Sequence, residues 1–302
     1  MYATADLPVP PNNAWIIQQW QQARAIPDGL LILDEIQKVS QWSQVIKMLF
    51  DEDRIKKVYL PVLILGSASL QLQDGLSESL LGRYEITQLP HWGYAECLEA
   101  FQWELNTYLQ FGGYPEPARM IAEPDRWHRF MIDSVIEPIL GKDLPTIRPV
   151  TKPALLRQTL NLSLSYPAQE ISLRKFTGEL SDPGSITTIK GYLELLEGAF
   201  LIRLLHKYST RPFSTRTSSP KILPLCPALI SCMTSTHRVL HDHDWRGRVF
   251  ESVLGARLHN LFRENLWYWR LKRELTRLLV IMYPKCWRRE VASSPSPAFY
   301  LE

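Results

Sequence analysis

The sequence has no long hydrophobic run. No apolar stretch among its 302 residues approaches the ~18 residues that a membrane-spanning helix needs. The N-terminal residues also show no basic segment leading into an apolar one, which is the pattern of a signal peptide. The sequence therefore predicts a cytoplasmic protein that has no membrane partner.

Cysteine is scarce, and so is excess charge. The four cysteines form no CxxC pair and no dense framework, and they are Cys97, Cys226, Cys232 and Cys286. Reduced thiols are the expected state, and the spacing of Cys226 and Cys232 to the nearby histidines fits no established zinc pattern. A net charge of +3 is too small to require a nucleic-acid partner by itself.

A phosphate-binding loop of the form GxxxxGK[ST] is also missing. Residues 1–29 contain one glycine, Gly29, and no lysine. In such a loop the backbone N–H groups and the lysine hold the β- and γ-phosphates of a nucleotide. Its absence removes the usual source of tight phosphate binding.

The stretch LLILDEIQK, Leu30 to Lys38, organises what is present. Four consecutive large apolar residues predict a short strand that is buried on both faces, as in parallel sheets. Asp34 and Glu35 follow directly, where such a strand ends and the crevice of an α/β sheet opens. Carboxylates at this position suit phosphoryl transfer, although an apolar run followed by Asp-Glu is also common by chance.

The next segments strengthen the α/β prediction. Apolar residues at helical spacing predict an amphipathic helix from Ser40 to Phe50, and Leu60 to Leu65 forms a second buried strand that ends in Gly-Ser-Ala-Ser. Strand–helix–strand alternation implies a parallel sheet with right-handed crossovers. We therefore expect Ser67 or Ser69 to lie at the same sheet edge as Asp34 and Glu35.

Three segments, LLILDEIQK, LILGSAS and ESLLGRYEITQLPHW, resemble the Walker B, sensor 1 and following segments of prokaryotic AAA-type ATPases that carry a C-terminal DUF4143 domain. The resemblance covers about residues 1–270. It implies ATP and Mg²⁺ as cofactors, with Asp34 holding the metal through its waters and Glu35 orienting or deprotonating the attacking water. It further implies Ser67 as a sensor of the γ-phosphate.

Arg83 has two interpretations. In ATPases an arginine placed here can face the γ-phosphate of a neighbouring subunit, which would make the protein a homo-oligomer. The alternative is an exposed charge paired with Glu78 or Glu85. The sequence leaves both open.

The resemblance predicts that the chain starts after the phosphate loop, because that loop precedes a segment much like YATADLPVP in the family. Mg²⁺ dehydrates reluctantly, so Asp34 would bind it weakly unless nucleotide phosphates supply further ligands. We expect this chain alone to hydrolyse ATP negligibly. Residues 1–11 contain several prolines and are expected to be irregular.

Residues 171–225 predict a winged helix. A helix over Leu173 to Leu180, a turn over 181–184 and a second helix capped by Ser185 form a helix-turn-helix. Two strand-like segments with a basic loop between them complete the outline. DNA contacts would come from Thr187, Thr188 and Lys190 on the second helix and from Lys207 and Arg211 in the wing. Packing between domains is the alternative role.

The C-terminal part begins with Trp245–Glu251, which looks like the GxxFE helix of the nuclease-like part of DUF4143. In such nucleases the glutamate lies beside a metal site. The resemblance stops after about residue 270, where a divergent basic segment follows and no aspartate remains after Asp244. We therefore expect no nuclease activity, and the sequence predicts a truncated or frame-shifted end.

These observations predict an α/β protein with a remnant P-loop (AAA-type) parallel sheet, a helical and winged-helix region, and a truncated nuclease-like part. The predicted boundaries are 1–92, 93–165, 166–230 and 231–302. The first hypothesis is a degenerate ATP-binding member of the AAA-type/DUF4143 family. The alternative is a non-catalytic module that binds DNA or protein through the winged helix.

Overall fold

The structure is a computed structural model, and it describes residues 1–9, 11–66, 79–180, 185–208, 219–235, 237–262 and 266–269. The chain divides into two compact units, Met1–Gln88 and Leu89–Glu302. Within the described residues, no helix combines the length and the apolar character needed to cross a bilayer.

The first unit contains a three-stranded parallel sheet, with β2 (Leu31–Asp34) between β1 (Tyr2–Thr4) and β3 (Val62–Ile64). Parallel neighbours need crossover connections, and helices α1 (Asn13–Arg24) and α2 (Trp42–Lys56) supply them. The predicted strand–helix–strand alternation around Asp34 is therefore confirmed. Each strand lies within two residues of its predicted bounds, and α2 continues six residues beyond its predicted end.

The expectation that residues 1–11 are irregular is wrong for Tyr2–Thr4. These residues form β1 and pair with β2 in parallel, Tyr2 opposite Ile32 and Thr4 opposite Asp34. Three residues carry too little local preference to reveal a strand, because hydrogen bonds to a partner thirty positions away stabilise it. The strand β1 thus pairs with one edge of β2.

The two faces of β2 differ in how deeply their side chains are buried. Leu31 and Leu33 are fully buried against α1 and α2, whereas Ile32 is half-buried and Leu30 is 42% exposed. Both helices pack against the Leu31 face, which leaves the other face more open. The prediction of a strand buried on both faces is therefore wrong for this unit as described.

A buried polar contact fixes α1 against α2. The Trp20 indole donates a 2.7 Å hydrogen bond to Oδ2 of Asp53, and Arg24 Nε lies 2.7 Å from Oδ1 of the same carboxylate. Asn12 caps α1 by accepting a hydrogen bond from the N–H of Ala14. Because the Asp53 charge is paired and hydrogen-bonded, it is tolerated in the interior.

The second unit is mostly helical. Its helices before the second sheet are α3 (Tyr94–Phe101), α4 (Leu105–Phe111), α5 (Pro124–Phe130), α6 (Leu144–Ile147) and α7 (Pro153–Ser165). Helices α5 and α6 belong to one longer helical segment that contains Pro138. It continues from α5 to α6 through π-helical turns at Met131–Ile136 and Ile139–Asp143, and these wider turns accommodate a proline that has no N–H to donate.

A second sheet follows α7. Its elements are β4 (Gln169–Glu170), α8 (Leu173–Gly178), α9 (Ile186–Gly198), β5 (Ile202–Leu205) and β6 (Lys221–Pro224). The strands are antiparallel in the order β4-β6-β5. Ser185 caps α9 as predicted, accepting a hydrogen bond from the N–H of Thr188. The predicted turn at 181–184 lies outside the described residues.

Three helices complete the described part of this unit. They are α10 (Pro227–Met233), α11 (Arg238–His241) and α12 (His243–Phe262). The segment Phe111–Pro115 packs on Cys226, just before α10. Gly113 has a φ of 112°, and a Cβ there would lie 2.1 Å from Cys226 Sγ, so this position requires glycine.

Residues Leu266–Trp269 pair with the chain that follows β5. The Tyr268 N–H donates to the His206 carbonyl at 3.0 Å, and its carbonyl accepts from the Tyr208 N–H at 2.7 Å. The Tyr268 hydroxyl donates a 2.6 Å hydrogen bond to the Ser219 carbonyl, which precedes β6. One tyrosine therefore ties together both sides of the β5–β6 hairpin.

Candidate functional site

The candidate site lies at the carboxyl edge of the parallel sheet. Asp34 is the last residue of the central strand, Glu35 follows it, and Thr4 of β1 lies directly opposite Asp34. Ligands of open α/β sheets bind outside the carboxyl ends of the strands. The structure thus places Asp34 and Glu35 where the sequence predicted them.

Asp34 has a hydrogen-bond partner on the neighbouring strand. The Tyr2 hydroxyl donates to its Oδ2 at 2.7 Å. This hydrogen bond, together with the adjacent negative charge, raises the pKa of the Tyr2 hydroxyl. The tyrosine therefore stays neutral and holds the carboxylate in one orientation.

Glu35 adopts a left-handed backbone conformation, with a φ of 53°. A non-glycine residue in this region costs about 1 kcal/mol. The turn starts a 3₁₀ helix, Ile36–Lys38, which brings the next side chains back over Glu35. The Gln37 amide donates to Oε2 of Glu35 at 3.1 Å, and Lys38 Nζ lies 3.4 Å from the same oxygen.

Lys38 also reaches the loop that follows β1. Its Nζ donates to Oδ1 of Asp6 at 2.5 Å. This hydrogen bond is the main reason that the pKa of Lys38 is raised, with the Glu35 charge adding to it. The ammonium group remains protonated and joins two loops at the carboxyl edge of the sheet.

The residues at this edge suit Mg²⁺ only when a nucleotide is also present. In the described part of the chain, no group of three or more His, Cys, Asp or Glu side chains could hold a metal ion. Asp34 offers one carboxylate, which fits an ion that keeps several waters and takes its other ligands from phosphates. Mg²⁺ bound in this way would neutralise charge on the phosphate oxygens.

Arg83 is not brought to this edge. Its Nε and Nη2 donate to Asp51 of α2 at 3.0 and 3.2 Å, and the arginine lowers the pKa of that carboxyl. Asp51 lies nine residues into α2, about 14 Å along a helix that runs away from the Asp34 edge. The partner seen for Arg83 is Asp51 and not the predicted Glu85, Glu78 lies outside the described residues, and a contact to a neighbouring subunit's phosphate stays a prediction. Ser67 lies outside the described residues.

On α9, two of the three predicted DNA-contacting residues already have partners, namely Thr188 and Lys190. The Thr188 hydroxyl lies 2.9 Å from the Ser185 hydroxyl within the helix cap. Lys190 is exposed, and its Nζ lies 3.7 Å from Oε1 of Glu194. Thr187 is exposed. The surface of α9 thus presents one cation next to one anion.

In the predicted wing, Lys207 follows β5 and is half-buried beside Tyr268. Arg211 lies outside the described residues, as does the basic segment after residue 269. Of the two predicted wing cations, Lys207 alone lies within the described residues, and the predicted DNA contact of the wing stays a prediction.

Glu251 pairs with a buried lysine instead of a metal site. Its carboxylate accepts a hydrogen bond from Lys221 of β6, and the side chains are 17% and 7% exposed. A cavity of about 310 Å³ adjoins it, and its lining is His243, Asp244, Gly247, Arg248 and Glu251. Sequence reasoning missed Lys221, because the pairing joins a strand and a helix thirty residues apart.

Three residues at the Asp34 edge were also missed, namely Tyr2, Asp6 and Lys38. Lys38 had a recognisable signal, because a residue three positions after Glu35 lies over it in a 3₁₀ turn. The other two follow only from the pairing of β1 with β2. Recognition of β1 would have been needed to place them.

Two family models match the chain in succession. Residues 5–98 match the AAA domain, and residues 102–238 match a domain of unknown function, DUF8612. The first match contains Asp34, Glu35, Lys38 and Arg83. The second contains both predicted halves of the helix-turn-helix, and the resemblance to DUF4143 stays a prediction.

Proteins with similar sequences are found in different organisms. An uncharacterized protein of Methanocaldococcus jannaschii is 25% identical over 263 residues, which are 79% of this chain and 55% of that protein. One of Mycobacterium tuberculosis is 26% identical over 261 residues, 82% of this chain and 54% of that protein. The chain thus spans about half the length of the curated relatives it matches.

Among solved structures, the Walker-type ATPase PABY2304 of Pyrococcus abyssi is similar, with a TM-score of 0.46 and 13% identity. The similarity covers 76% of this chain and 68% of that one. The match to the AAA domain includes the strand that ends in Asp34 and the helix and strand that follow it. Residues 5–98 are thus similar to an AAA domain.

Proposed function

We propose that this chain binds Mg²⁺-ATP at the carboxyl edge of its parallel sheet and by itself hydrolyses it at most very slowly. The observation that supports this is the position of Asp34 and Glu35, directly after the central strand β2. In this proposal Asp34 accepts hydrogen bonds from waters of the metal, and Glu35 orients an attacking water.

Slow hydrolysis follows from the sequence. The 302 residues contain no GxxxxGK[ST] motif, so the backbone amides and lysine that normally hold the β- and γ-phosphates are not supplied by such a loop. Catalysis of phosphoryl transfer depends mainly on positioning and on charge stabilisation. A nucleotide held by fewer groups is expected to turn over negligibly.

Calorimetric titration of Mg²⁺-ATP into the purified chain tests this proposal, with Asp34→Ala as the decisive variant. We expect binding in the wild type with a Kd of about 100 μM, close to −5.5 kcal/mol, and its loss in the variant. Asp125→Ala, which removes an exposed carboxylate in the second unit, is the matched control. The proposal fails if folded wild-type protein gives no binding heat. It also fails if the wild type hydrolyses ATP rapidly and Glu35→Gln abolishes that hydrolysis.

A second candidate function rests on the second sheet. The antiparallel order β4-β6-β5, with α7, α8 and α9 around it, supports a winged helix, a unit that can place its second helix in the DNA major groove. Fluorescence anisotropy with a labelled duplex tests it. Lys190→Gln should weaken binding, whereas Lys142→Gln, an exposed cation outside this sheet, should not.

The acidic neighbour of Lys190 gives this second candidate a further test. Glu194 lies 3.7 Å from Lys190 and would face a phosphate backbone with like charge. Glu194→Gln should therefore strengthen duplex binding and steepen its salt dependence. Equal affinity of both variants and the wild type would leave packing between domains as the role of this unit.

A further inference from the structure

Lys38 is the cation that lies closest to Glu35 among the contacts described for this edge. Its Nζ is 3.4 Å from Glu35 Oε2 and 2.5 Å from Asp6 Oδ1, and its side chain is 31% exposed. A group bound next to Glu35 would thus come within reach of the ammonium. The lysine stem is flexible, and its three donors rotate freely.

The charge at this edge favours a cationic contact to a phosphate. Asp6, Asp34 and Glu35 contribute three carboxylates, and an incoming triphosphate adds further negative charge. A polyphosphate bound beside Glu35 would therefore be stabilised by a nearby cation, and Lys38 Nζ lies 3.4 Å from Glu35 Oε2.

Asp6 is well suited to release the lysine. Its side chain is 67% exposed, and ion pairs between solvent-exposed groups contribute little net free energy. A polyphosphate carries more charge and more acceptor oxygens than one carboxylate. The Lys38 ammonium can therefore exchange its contact with Asp6 for a contact with phosphate at little cost in free energy.

We propose that Lys38 is a phosphate-binding residue of this site, and that Asp6 holds its ammonium group until the β- or γ-phosphate of a nucleotide displaces it. This inference rests on the nucleotide binding proposed above. It names the group that contacts the phosphates in a chain without the usual loop. It also gives Asp6 a defined role, that of a competitor for the same cation.

A purely structural role for the Asp6–Lys38 pair would give a different pattern of changes in nucleotide affinity. If the pair only joined two loops, removal of either partner would weaken nucleotide binding. If Asp6 competes with phosphate, Lys38→Gln and Asp6→Asn change affinity in opposite directions. The dependence on phosphate number separates the two roles further, because AMP has no β- or γ-phosphate to contact Lys38.

The experiment titrates ATP, ADP and AMP, each with Mg²⁺, into the wild type and into Lys38→Gln, Lys38→Arg and Asp6→Asn. We expect Lys38→Gln to weaken ATP binding about tenfold and AMP binding less than twofold, and Lys38→Arg to retain most of the ATP affinity. Asp6→Asn should strengthen ATP binding about threefold. Arg54→Gln, which removes an exposed cation near the far end of α2, is the matched control.

The possible failures are distinguishable. No binding by the folded wild type overturns the proposed function and this inference together. Wild-type binding that Lys38→Gln leaves unchanged, or that Asp6→Asn weakens, overturns the role of Lys38 alone. Thermal melting of each variant by circular dichroism verifies folding, and Lys38→Arg keeps the inference testable if Lys38→Gln does not fold.

Discussion

The Tyr2 hydroxyl lies 2.7 Å from Oδ2 of Asp34 and donates a hydrogen bond to it across the β1–β2 pair. The contact joins the first strand to the acidic residue that ends the central strand. It occupies one acceptor position of a carboxylate that the proposed site needs for metal-bound water. Tyr2 is therefore expected to set the orientation of Asp34.

Tyr2→Phe should change this orientation without removing the carboxylate. We expect the Kd for Mg²⁺-ATP to rise two- to fivefold, because Asp34 loses a fixed donor and samples other rotamers. Binding should still depend on Mg²⁺, in contrast to Asp34→Ala. Tyr59→Phe, at an exposed residue after α2, is the control, and an effect as large as that of Tyr2→Phe would contradict a specific role for Tyr2.

Gly113→Ala should destabilise the second unit. The new methyl group would lie 2.1 Å from Cys226 Sγ, at a residue with a φ of 112°. An alanine with a positive φ is strained, and its methyl group would overpack the space beside Cys226. Together these effects should lower the free energy of unfolding by about 3 kcal/mol. Urea denaturation measures this loss, and Gly141→Ala, where nothing lies within 4 Å, should lose none.

Cys226 provides the second half of this test. In the double variant Gly113→Ala, Cys226→Ala, the close contact with sulfur is removed while the backbone strain remains. We expect the double variant to be more stable than the sum of the two single losses predicts, by about 1 kcal/mol. Additive losses would show that the sulfur contact is not the cause.

His91 should make the stability of the second unit sensitive to acid. Burial lowers the pKa of His91 to about 4, and its Nε2 lies 3.0 Å from the Tyr114 hydroxyl. In the unfolded chain its pKa is near 6.5, so between pH 6.5 and 4 the unfolded state binds more protons. Stability therefore falls as the pH falls through this window, by at most about 1.4 kcal/mol per pH unit.

Urea denaturation at pH 7.0, 6.0 and 5.0 measures this slope. His91→Gln keeps a side chain that can accept from Tyr114 and does not titrate. The free energy of unfolding of this variant should depend less on pH than that of the wild type, whatever its value at pH 7. If the free energies of unfolding of the two proteins change equally with pH, His91 is not the titrating group.

Glu251→Gln should cost about 3 kcal/mol in the free energy of unfolding. The variant leaves the Lys221 ammonium buried without its charged partner, and single removal from a buried ion pair is strongly destabilising. When Lys221→Met is added to Glu251→Gln, the double variant should regain much of the lost free energy of unfolding. Glu194→Gln, in an exposed pair, should change stability by less than ~0.5 kcal/mol.

The sequence was informative where structure depends on neighbouring residues. The apolar run before Asp34 and the helical spacing from Trp42 to Leu49 located β2 and α2, because each pattern reports burial along one element. Ser185 identified the start of α9 for a similar reason, since its cap bonds to Thr188. The position of Asp34 and Glu35 follows directly from these local signals.

Contacts between distant residues were not predictable in this way. The partner of Arg83 was sought among nearby glutamates, but the structure pairs it with Asp51, thirty-two positions away. The short strand Tyr2–Thr4 was missed for the same reason, and with it the contacts of Tyr2 and Asp6 at the site. A single sequence reports which faces are apolar, whereas the register between strands decides which polar side chains meet.

The position of Tyr268 has a consequence for the synthesis of the chain. Its hydroxyl bonds to Ser219, forty-nine residues earlier, and its backbone pairs with His206 and Tyr208. At about 5–20 residues per second, the ribosome adds Tyr268 roughly 2.5 to 10 s after Ser219. During that interval the outer side of the nascent hairpin keeps unpaired backbone groups, and other extended segments compete for them.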